Sequence, residues 1–412
     1  MLRSLRHFIP LAALIALASV MAFAPKIGPI VLACAVLAAV LASLDPVRRH
    51  GWREGISTWR AAIADCGSAK NPLIVIILFM ALCALSLLWV AEANFAMSRT
   101  IRLIGFFLAV SLYGLMFTQA GGAQQRLIQP MARLATAGFG LAAVCLAVSF
   151  IFVVPAKASP DAFVNRSVVI LSLSCFAFAA YIFSTSWSQA VKGGLTGVLI
   201  VVALGFSLSS NSQTSSVALI CGVIAVLVFK PASAALRRLF VVAIAGLCFA
   251  MPLLIKAAIS LPPTVFASSF FQQGSAGQRL RIWDSYLALV REKPLLGWGV
   301  EGSRDFDAEL LSLPVTATQN TYFSSHPHNA LLQIWTDLGL VGALLFCILI
   351  AMLGLRIEKA RPEARAPIYG LFVGILATSA VSHGAFQSWW LASVAILAVS
   401  VFPLAYSDKP YS

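Results

Sequence analysis

Long apolar segments alternate with short polar ones along the whole chain. Twelve segments are mostly apolar over roughly 17 or more residues, about the length that an α-helix needs to cross the hydrocarbon layer of a bilayer. The pattern predicts transmembrane helices over 8–24, 27–44, 71–91, 100–119, 133–155, 167–187, 191–207, 214–230, 237–259, 329–355, 366–383 and 388–405. Only the interval before the tenth helix is long.

The composition agrees with this pattern, since 60% of the 412 residues are hydrophobic and 11% are charged, which excludes an ordinary soluble domain. We expect an all-α polytopic membrane protein with about twelve transmembrane helices. Three regions follow from the spacing. They are an N-terminal bundle of about nine helices over 1–259, a large external loop over 260–328, and about three C-terminal helices over 329–412.

The first span ends in Ala22-Phe23-Ala24, which imitates a signal-peptide cleavage site. Pro25 follows at once and a second apolar span comes straight after, so we interpret the first span as a retained helix. Twelve spans put both termini on one side of the membrane. Most basic residues fall in the loops on that same side, which predicts that both termini are cytoplasmic.

The formal net charge of +14 raises the question of nucleic acid binding. The basic residues are spread over many short loops, however, and this distribution is typical of topology determinants beside anionic lipids. Seven of the eight cysteines lie within predicted spans, and none has CxxC spacing. We therefore expect membrane lipids as partners, no nucleic acid, and neither disulfides nor a structural zinc.

The external segment 260–328 is long enough to contain a functional site. Within it, apolar residues recur at helical spacing around Trp283, and Pro294 and Gly297 mark the end of the pattern. This predicts an amphipathic helix over 278–292. Arg279 lies on or beside the apolar stripe, where its guanidinium either extends to water or binds an anion such as phosphate. Arg281 points elsewhere and is interpreted as a surface charge.

Two histidines, His326 and His328, stand just before the tenth predicted helix. Asn329 is an accepted N-cap residue, so the histidines should lie at a helix N-terminus, where anions are favoured and imidazolium is disfavoured. A neutral histidine there suits a general base that acts on a phosphate-bearing substrate. The alternative is that both are interfacial residues bonded to loop backbone.

Asp337 follows inside the same predicted helix. A carboxylate at that depth should face the bundle or a wet cavity and have a partner. It either lines the site or forms a structural hydrogen bond to a neighbouring helix. Gly339 and Gly342, beyond it, suggest close packing between helices.

Two short motifs have residue types that can bind metal ions. Asp305-Phe306-Asp307 matches the short DxD pattern, but three characters match often by chance, and we interpret it as a solvated loop. His326 and His328 lack further metal-ligand partners in the segment, so no metal or other cofactor is expected. His383, Gln387, Trp389 and Trp390 form a polar and aromatic external edge, interpreted as part of an aromatic belt.

Two blocks together resemble the O-antigen ligase and polymerase family (Wzy-C type) of bacterial membrane glycosyltransferases. The sequence "GQRLRIWDSYLALVREKPLLGWG" is similar to that family's arginine, tryptophan, proline and Gly-x-Gly block. The sequence "HPHNALLQIWTDLGLVGALL" is similar to its His-Asn block. The resemblance covers about the second half of the chain and implies a GT-C-like membrane fold.

The resemblance implies roles for individual residues. Arg279 takes the place of the loop arginine, His328 that of the essential histidine, and Asp337 that of the usual glutamate. The sequence departs from the family at Gln213, where many ligases have an arginine. The resemblance then requires another cation, such as Arg281 or Lys256, or a branch that handles its donor differently.

The family further implies a donor glycan on undecaprenyl diphosphate at the periplasmic face of the bacterial inner membrane. The acceptor would be a hydroxyl of lipid A core or of another glycan. In this hypothesis Arg279 and His328 are catalytic. Gln213, Lys256, Arg281, His326 and Asn329 would bind the substrate or its diphosphate, with Trp283 and Asp337 in support. A polymerase of lipid-linked repeat units and a transporter of lipid-linked sugars remain the alternatives.

Overall fold

The computed structural model describes residues 70–118, 128–149, 160–210, 212–266, 275–304 and 325–405, together with Ile30 and Ile151. All regular structure among these residues is helical, which agrees with the predicted fold class. The first two predicted spans, the retained-helix interpretation and the DxD triplet lie outside the described residues.

The helices are numbered here in chain order over the described residues. They are α1 (Lys70–Leu85), α2 (Ala93–Thr118), α3 (Ile128–Val148), α4 (Pro160–Phe183), α5 (Gln189–Ser209), α6 (Gln213–Phe229), α7 (Ala234–Phe249), α8 (Met251–Ile259), α9 (Ser275–Glu292), α10 (Ala330–Arg356), α11 (Pro362–Val381) and α12 (Ser388–Ala405). Short 3-10 turns occur at Ser86–Leu88, Pro263–Phe266 and Ile357–Lys359.

Six of these helices are long and apolar enough to cross a membrane, and the bent pair α7 and α8 makes a possible seventh span, within the described residues. Helices α1, α6 and α12 are apolar but shorter. The chain is therefore a multi-pass membrane protein. The total of twelve spans stays a prediction.

Helix α4 is the most deeply buried of the six candidate spans and forms the centre of the bundle. It packs against α3, α5, α6, α11 and α12. Gly222 on α6 permits close packing on both sides, because a Cβ there would lie 2.3 Å from the ring of Phe176 on α4 and 3.0 Å from the Gly370 carbonyl oxygen on α11. The side chains of α4 are consequently carried by a helix that is packed against five others.

The predicted helix 237–259 is wrong as a single straight element. The structure breaks it at Ala250 into α7 and α8, which are bent by 65°. Pro252 follows the break and removes a backbone N–H group that a continuous helix would use. The Phe249 carbonyl at the bend accepts a hydrogen bond from Trp335 Nε1 at 2.9 Å, which joins the bend to α10.

Helix α10 also contains a break, at Gly339, where φ is 62° and ψ is −160°. A continuous helix would pair Leu340 N with Thr336 O and Val341 N with Asp337 O. We call Pro294–Gly299 the inserted loop, because its backbone takes over all four of these groups. Leu340 N donates to Pro294 O at 2.8 Å, Val341 N to Leu295 O at 3.3 Å, Trp298 N to Thr336 O at 3.0 Å and Gly299 N to Asp337 O at 2.7 Å.

The sequence predicted that Gly339 permits helix–helix packing, whereas its neighbour in the structure is the inserted loop. A Cβ on Gly339 would lie 2.4 Å from the carbonyl of Leu295, and its backbone conformation is essentially restricted to glycine.

The Arg237 guanidinium forms two hydrogen bonds to the Glu358 carboxylate, at 2.6 and 2.8 Å. Tyr369 Oη donates to the same carboxylate at 2.7 Å. These bonds join α7, the turn after α10, and α11 at the ends of the helices where Arg238, Arg356 and Arg361 also lie.

Gly339→Ala should lower the free energy of unfolding by roughly 1–3 kcal/mol from backbone strain alone, with the clash against Leu295 added. Thermal unfolding of the purified protein in detergent measures the effect. Gly246→Ala is the matched control, since a Cβ there meets nothing within 4 Å. Equal melting temperatures for Gly339→Ala and the wild type would contradict this account of the break.

Candidate functional site

A cavity of about 400 Å³ opens where the ends of five segments meet. It lies at the starts of α4, α6 and α9, at the loop before α10, and at the turn between α11 and α12. Its lining contains arginine, histidine and amide side chains together with a tryptophan ring: Asn165, Arg166, Val169, Ser212, Gln213, Thr214, Arg279, His326, His328, Ser382, His383, Gln387 and Trp389.

Four residues predicted from the sequence meet in this cavity, namely Gln213, Arg279, His326 and His328. Arg279 is carried by α9, whose observed range includes the whole amphipathic helix expected over 278–292. Burial lowers the pKa of the Arg279 guanidinium from its ordinary value, but an arginine stays charged after such a shift.

His328 lies in the short loop before α10 and has a φ of 53°, in the left-handed region. Its Nδ1 is 3.1 Å from the Ser382 carbonyl oxygen, which can only accept a hydrogen bond. Nδ1 must therefore carry the proton, and the basic lone pair of the neutral ring is on Nε2. Burial lowers the pKa of His328, and the charge of Arg279 lowers it further, against the opposing effect of the Ser382 carbonyl.

The neighbouring His326 holds the same loop in shape. Its Nδ1 accepts a hydrogen bond from the backbone N–H of His328 at 3.0 Å, and its Nε2 lies 2.7 Å from Gln387 Nε2. Burial, followed by the electrostatic effects of the nearby His328 and Arg304, lowers the pKa of His326 to about 3. The other end of the Gln387 amide is also held, because its Oε1 accepts a hydrogen bond from Gly384 N at 3.3 Å.

Asn329 acts as the N-cap predicted from the sequence. Its Oδ1 accepts hydrogen bonds from Leu331 N at 3.1 Å and Leu332 N at 3.0 Å. Trp283 fixes the loop from the other side, because its Nε1 donates to the Pro327 carbonyl at 2.8 Å. We call the segment that carries His326 and His328 the histidine loop. Helix α9 thus positions the histidine loop as well as Arg279.

Asp337 is fully buried beneath this loop and does not line the cavity. Its carboxylate accepts hydrogen bonds from Ser303 Oγ at 2.6 Å, Glu301 N at 3.0 Å and Gln333 Nε2 at 3.2 Å. Of the two roles that the sequence left open, these contacts favour the structural one. Asp337 ties the chain that follows the inserted loop to α10.

Lys256 and Arg281 are exposed and lie outside the lining of the cavity. Their assignment to the substrate stays a prediction that no cavity contact supports. Within the described part of the chain, no group of three or more histidine, cysteine or acidic side chains is placed to hold a metal ion.

Sequence reasoning missed several residues of this cavity. Arg166 and Asn165 look like ordinary interfacial residues at the start of a span, and His383, Gln387 and Trp389 were interpreted as part of an aromatic belt. His383 is buried, and its ring centroid is 4.8 Å from that of Trp389 and 4.4 Å from that of Trp390. Burial, with the nearby histidines and arginines, keeps the pKa of His383 well below its usual value.

Comparison with known proteins identifies the class. Residues 195–347 match a family model described as O-antigen ligase. The matched region extends from α5 into α10, and the resemblance predicted from the two sequence blocks is confirmed.

The chain is also similar to proteins of three Rickettsia species, each of which is named "Putative polysaccharide ligase". Those of Rickettsia conorii and Rickettsia felis are each 30% identical over 125 residues, and that of Rickettsia typhi is 30% identical over 131 residues. Each match covers 29% of this chain and 30% of the relative. The matched region is thus less than a third of either protein.

Because one buried and two half-buried histidines have lowered pKa values, the fold should lose stability in mild acid. Below about pH 6.5 these histidines bind protons in the unfolded chain but not in the folded chain. The free energy of unfolding therefore falls by up to about 1.4 kcal/mol per pH unit for each such histidine. Melting temperatures measured at pH 7.5, 6.0 and 5.0 test this expectation. His383→Gln should flatten the decline, and an unchanged slope would show that His383 is not held neutral.

Proposed function

We propose that this protein is an O-antigen ligase, which moves a glycan from undecaprenyl diphosphate to a hydroxyl of the lipid A core. The observation that carries the proposal is that Arg279 and His328, the two groups the chemistry requires, line one cavity and both lie in the region that matches the O-antigen ligase family. A cation stands beside a neutral histidine whose Nε2 is basic. This arrangement suits departure of a phosphate group and deprotonation of a hydroxyl.

The reaction is a displacement at the anomeric carbon of the donor sugar. The acceptor hydroxyl gives its proton to His328 Nε2 while its oxygen bonds to the anomeric carbon. The bond from that carbon to the diphosphate oxygen breaks, and the electron pair stays on the diphosphate. Arg279 stabilises the charge that grows there, and the proton on His328 is then released to the diphosphate or to water.

The driving force is already present in the diphosphate linkage, so the reaction needs no nucleotide, and the proposed mechanism uses no metal. His328 remains neutral at physiological pH because of its lowered pKa, and the Nδ1 contact with Ser382 keeps the basic nitrogen on the opposite side of the ring.

We further propose that the protein lies in the bacterial inner membrane with both termini in the cytoplasm and the cavity at the periplasmic face. In the predicted topology, every segment that lines the cavity lies at an external end of a span. The opposite ends of α6, α7, α10 and α11 carry the basic residues Lys230, Arg237, Arg238, Arg356, Arg361 and Arg365. That distribution favours the cytoplasm on their side.

Arg279→Ala and His328→Ala should each abolish glycan transfer while the protein still folds and inserts. The losses should be large, since these groups act on charge that develops in the transition state, where a single lost interaction costs roughly 100-fold or more. Transfer is measured with purified protein and lipid-linked glycan. Arg133→Ala is the control, because Arg133 is exposed on α3 and away from the cavity. Near-normal transfer by either cavity variant would remove that residue from the mechanism.

A polymerase that joins repeat units on the lipid carrier is the second candidate, favoured by the departure at Gln213 from the ligase pattern. A deletion strain distinguishes the two. A ligase defect leaves long polymer on undecaprenyl diphosphate with the lipid A core bare, and this is the expected result. Single repeat units on the carrier would instead indicate a polymerase.

The polar residues concentrate at one end of the bundle, whereas a transporter usually places them near the midplane. Movement of lipid-linked sugar across vesicles without a new glycosidic bond would favour a transporter over both enzymes.

A further inference from the structure

Arg166 is a cavity residue that the proposed mechanism does not use. It lies near the start of α4, the most buried candidate span, and its guanidinium carbon is 5.1 Å from the centroid of the Trp389 ring. The side chain is only partly exposed. Its position is therefore fixed from two sides, by the central helix below it and by the aromatic face beside it.

Neither Arg166 nor Arg279 has a carboxylate within the 4.0 Å ion-pair distance among the described residues. A partly buried cation normally has a partner, because removal of charge from water is costly. Stacking on a tryptophan offsets only part of that cost, roughly 0.5–2 kcal/mol. Within the described residues, two cations that form no ion pair thus face the same cavity.

The remaining lining does not neutralise them. The described lining contains no acidic side chain, and its three histidines have lowered pKa values and stay neutral. Ser212, Gln213 and Thr214 bring the N-terminus of the 17-residue helix α6 to the same wall, which adds partial positive charge. The electrostatics of the cavity therefore favour an anion with more than one charge.

A second observation indicates that the cavity receives a polar ligand. His383 Nε2 is buried and has no hydrogen-bond partner among the described residues. Buried polar atoms are nearly always paired, so such an atom in a cavity wall is typical of a group that a ligand completes. His383 and Arg166 line the same space.

We propose that Arg166 binds the second phosphate group of the donor, so that Arg166 and Arg279 together hold the diphosphate. This inference rests on the proposed function, because it takes the donor to be a lipid diphosphate. A diphosphate that links a lipid to a sugar has two ionised oxygens, one on each phosphorus, and two arginines match that charge. The Trp389 face orients the guanidinium plane and leaves its N–H edge for bidentate contact with a phosphate.

Arginine labelling of the native, full-length protein tests the inference without any substitution. Purified protein is treated with phenylglyoxal, alone or with undecaprenyl diphosphate at about ten times its Kd, and each arginine is quantified by mass spectrometry. Labelling of Arg166 and Arg279 should each fall roughly tenfold, as expected from occupancy. Arg238, exposed at the start of α7, is the control and should label equally in both samples.

The outcomes separate this inference from the function on which it rests. Protection of Arg279 with unchanged labelling of Arg166 would overturn the inference and leave the proposed function intact. Protection of neither residue would overturn both. Equal protection of Arg166 by uncharged undecaprenol would also overturn the inference, because the lipid chain alone would then cover the side chain.

Relocation of the charge provides the second test. Arg166→Gln should weaken binding of undecaprenyl diphosphate by roughly 30-fold or more, the size expected when one member of a desolvated charge pair is lost. Binding of undecaprenyl monophosphate should change far less. The double variant R166Q/Q213R should recover most of the lost affinity, because position 213 lines the same cavity.

Arg238→Gln is the matched control for this series and should bind both lipids as the wild type does. An equal loss of affinity for monophosphate and diphosphate in Arg166→Gln would assign Arg166 a structural role and overturn the inference. So would wild-type affinity for the diphosphate in that variant.

Discussion

A break in a membrane helix exposes backbone N–H and C=O groups, and in a hydrocarbon environment each of them must find a partner within the protein. In α10 the four groups released around Gly339 pair with the inserted loop, Pro294–Gly299. The loop directly follows α9, so the pairing fixes α9 against α10. Arg279 and Trp283 on α9 are thereby positioned against the histidine loop at the start of α10. The geometry of the cavity depends on this exchange of hydrogen bonds.

Asp337 adds side-chain hydrogen bonds to the same connection between α10 and the segment after α9. Its carboxylate accepts hydrogen bonds from Glu301 N and Ser303 Oγ, just beyond the inserted loop, and from Gln333 one turn earlier in α10. Backbone pairing and a buried carboxylate therefore act on the same few residues. This explains why the sequence places an acidic residue inside an apolar helix although the residue does not reach the cavity.

Much of the helical framework was predictable from the sequence, because apolar length and amphipathic spacing are local properties. The amphipathic helix expected over 278–292 is observed at Ser275–Glu292, and Asn329 caps α10 as its residue type suggested. The breaks at Ala250 and Gly339 were missed because each lies inside a long and mostly apolar segment. The partners of the second break lie about forty positions earlier in the chain. Arg166 was missed for a similar reason, since its neighbours in the cavity come from distant segments.

The walls of the cavity have two origins. Arg279, His326, His328 and the start of α6 lie in the region that matches the O-antigen ligase family, whereas Arg166 comes from α4, and His383, Gln387 and Trp389 follow α11. The matched region consequently supplies only part of the cavity wall. In a chimera that carries residues 195–347 of a relative, the reactive groups would come from the relative and the opposite wall of the cavity from this chain. Substrate selectivity would then depend on whether the two walls fit together rather than on the origin of either one.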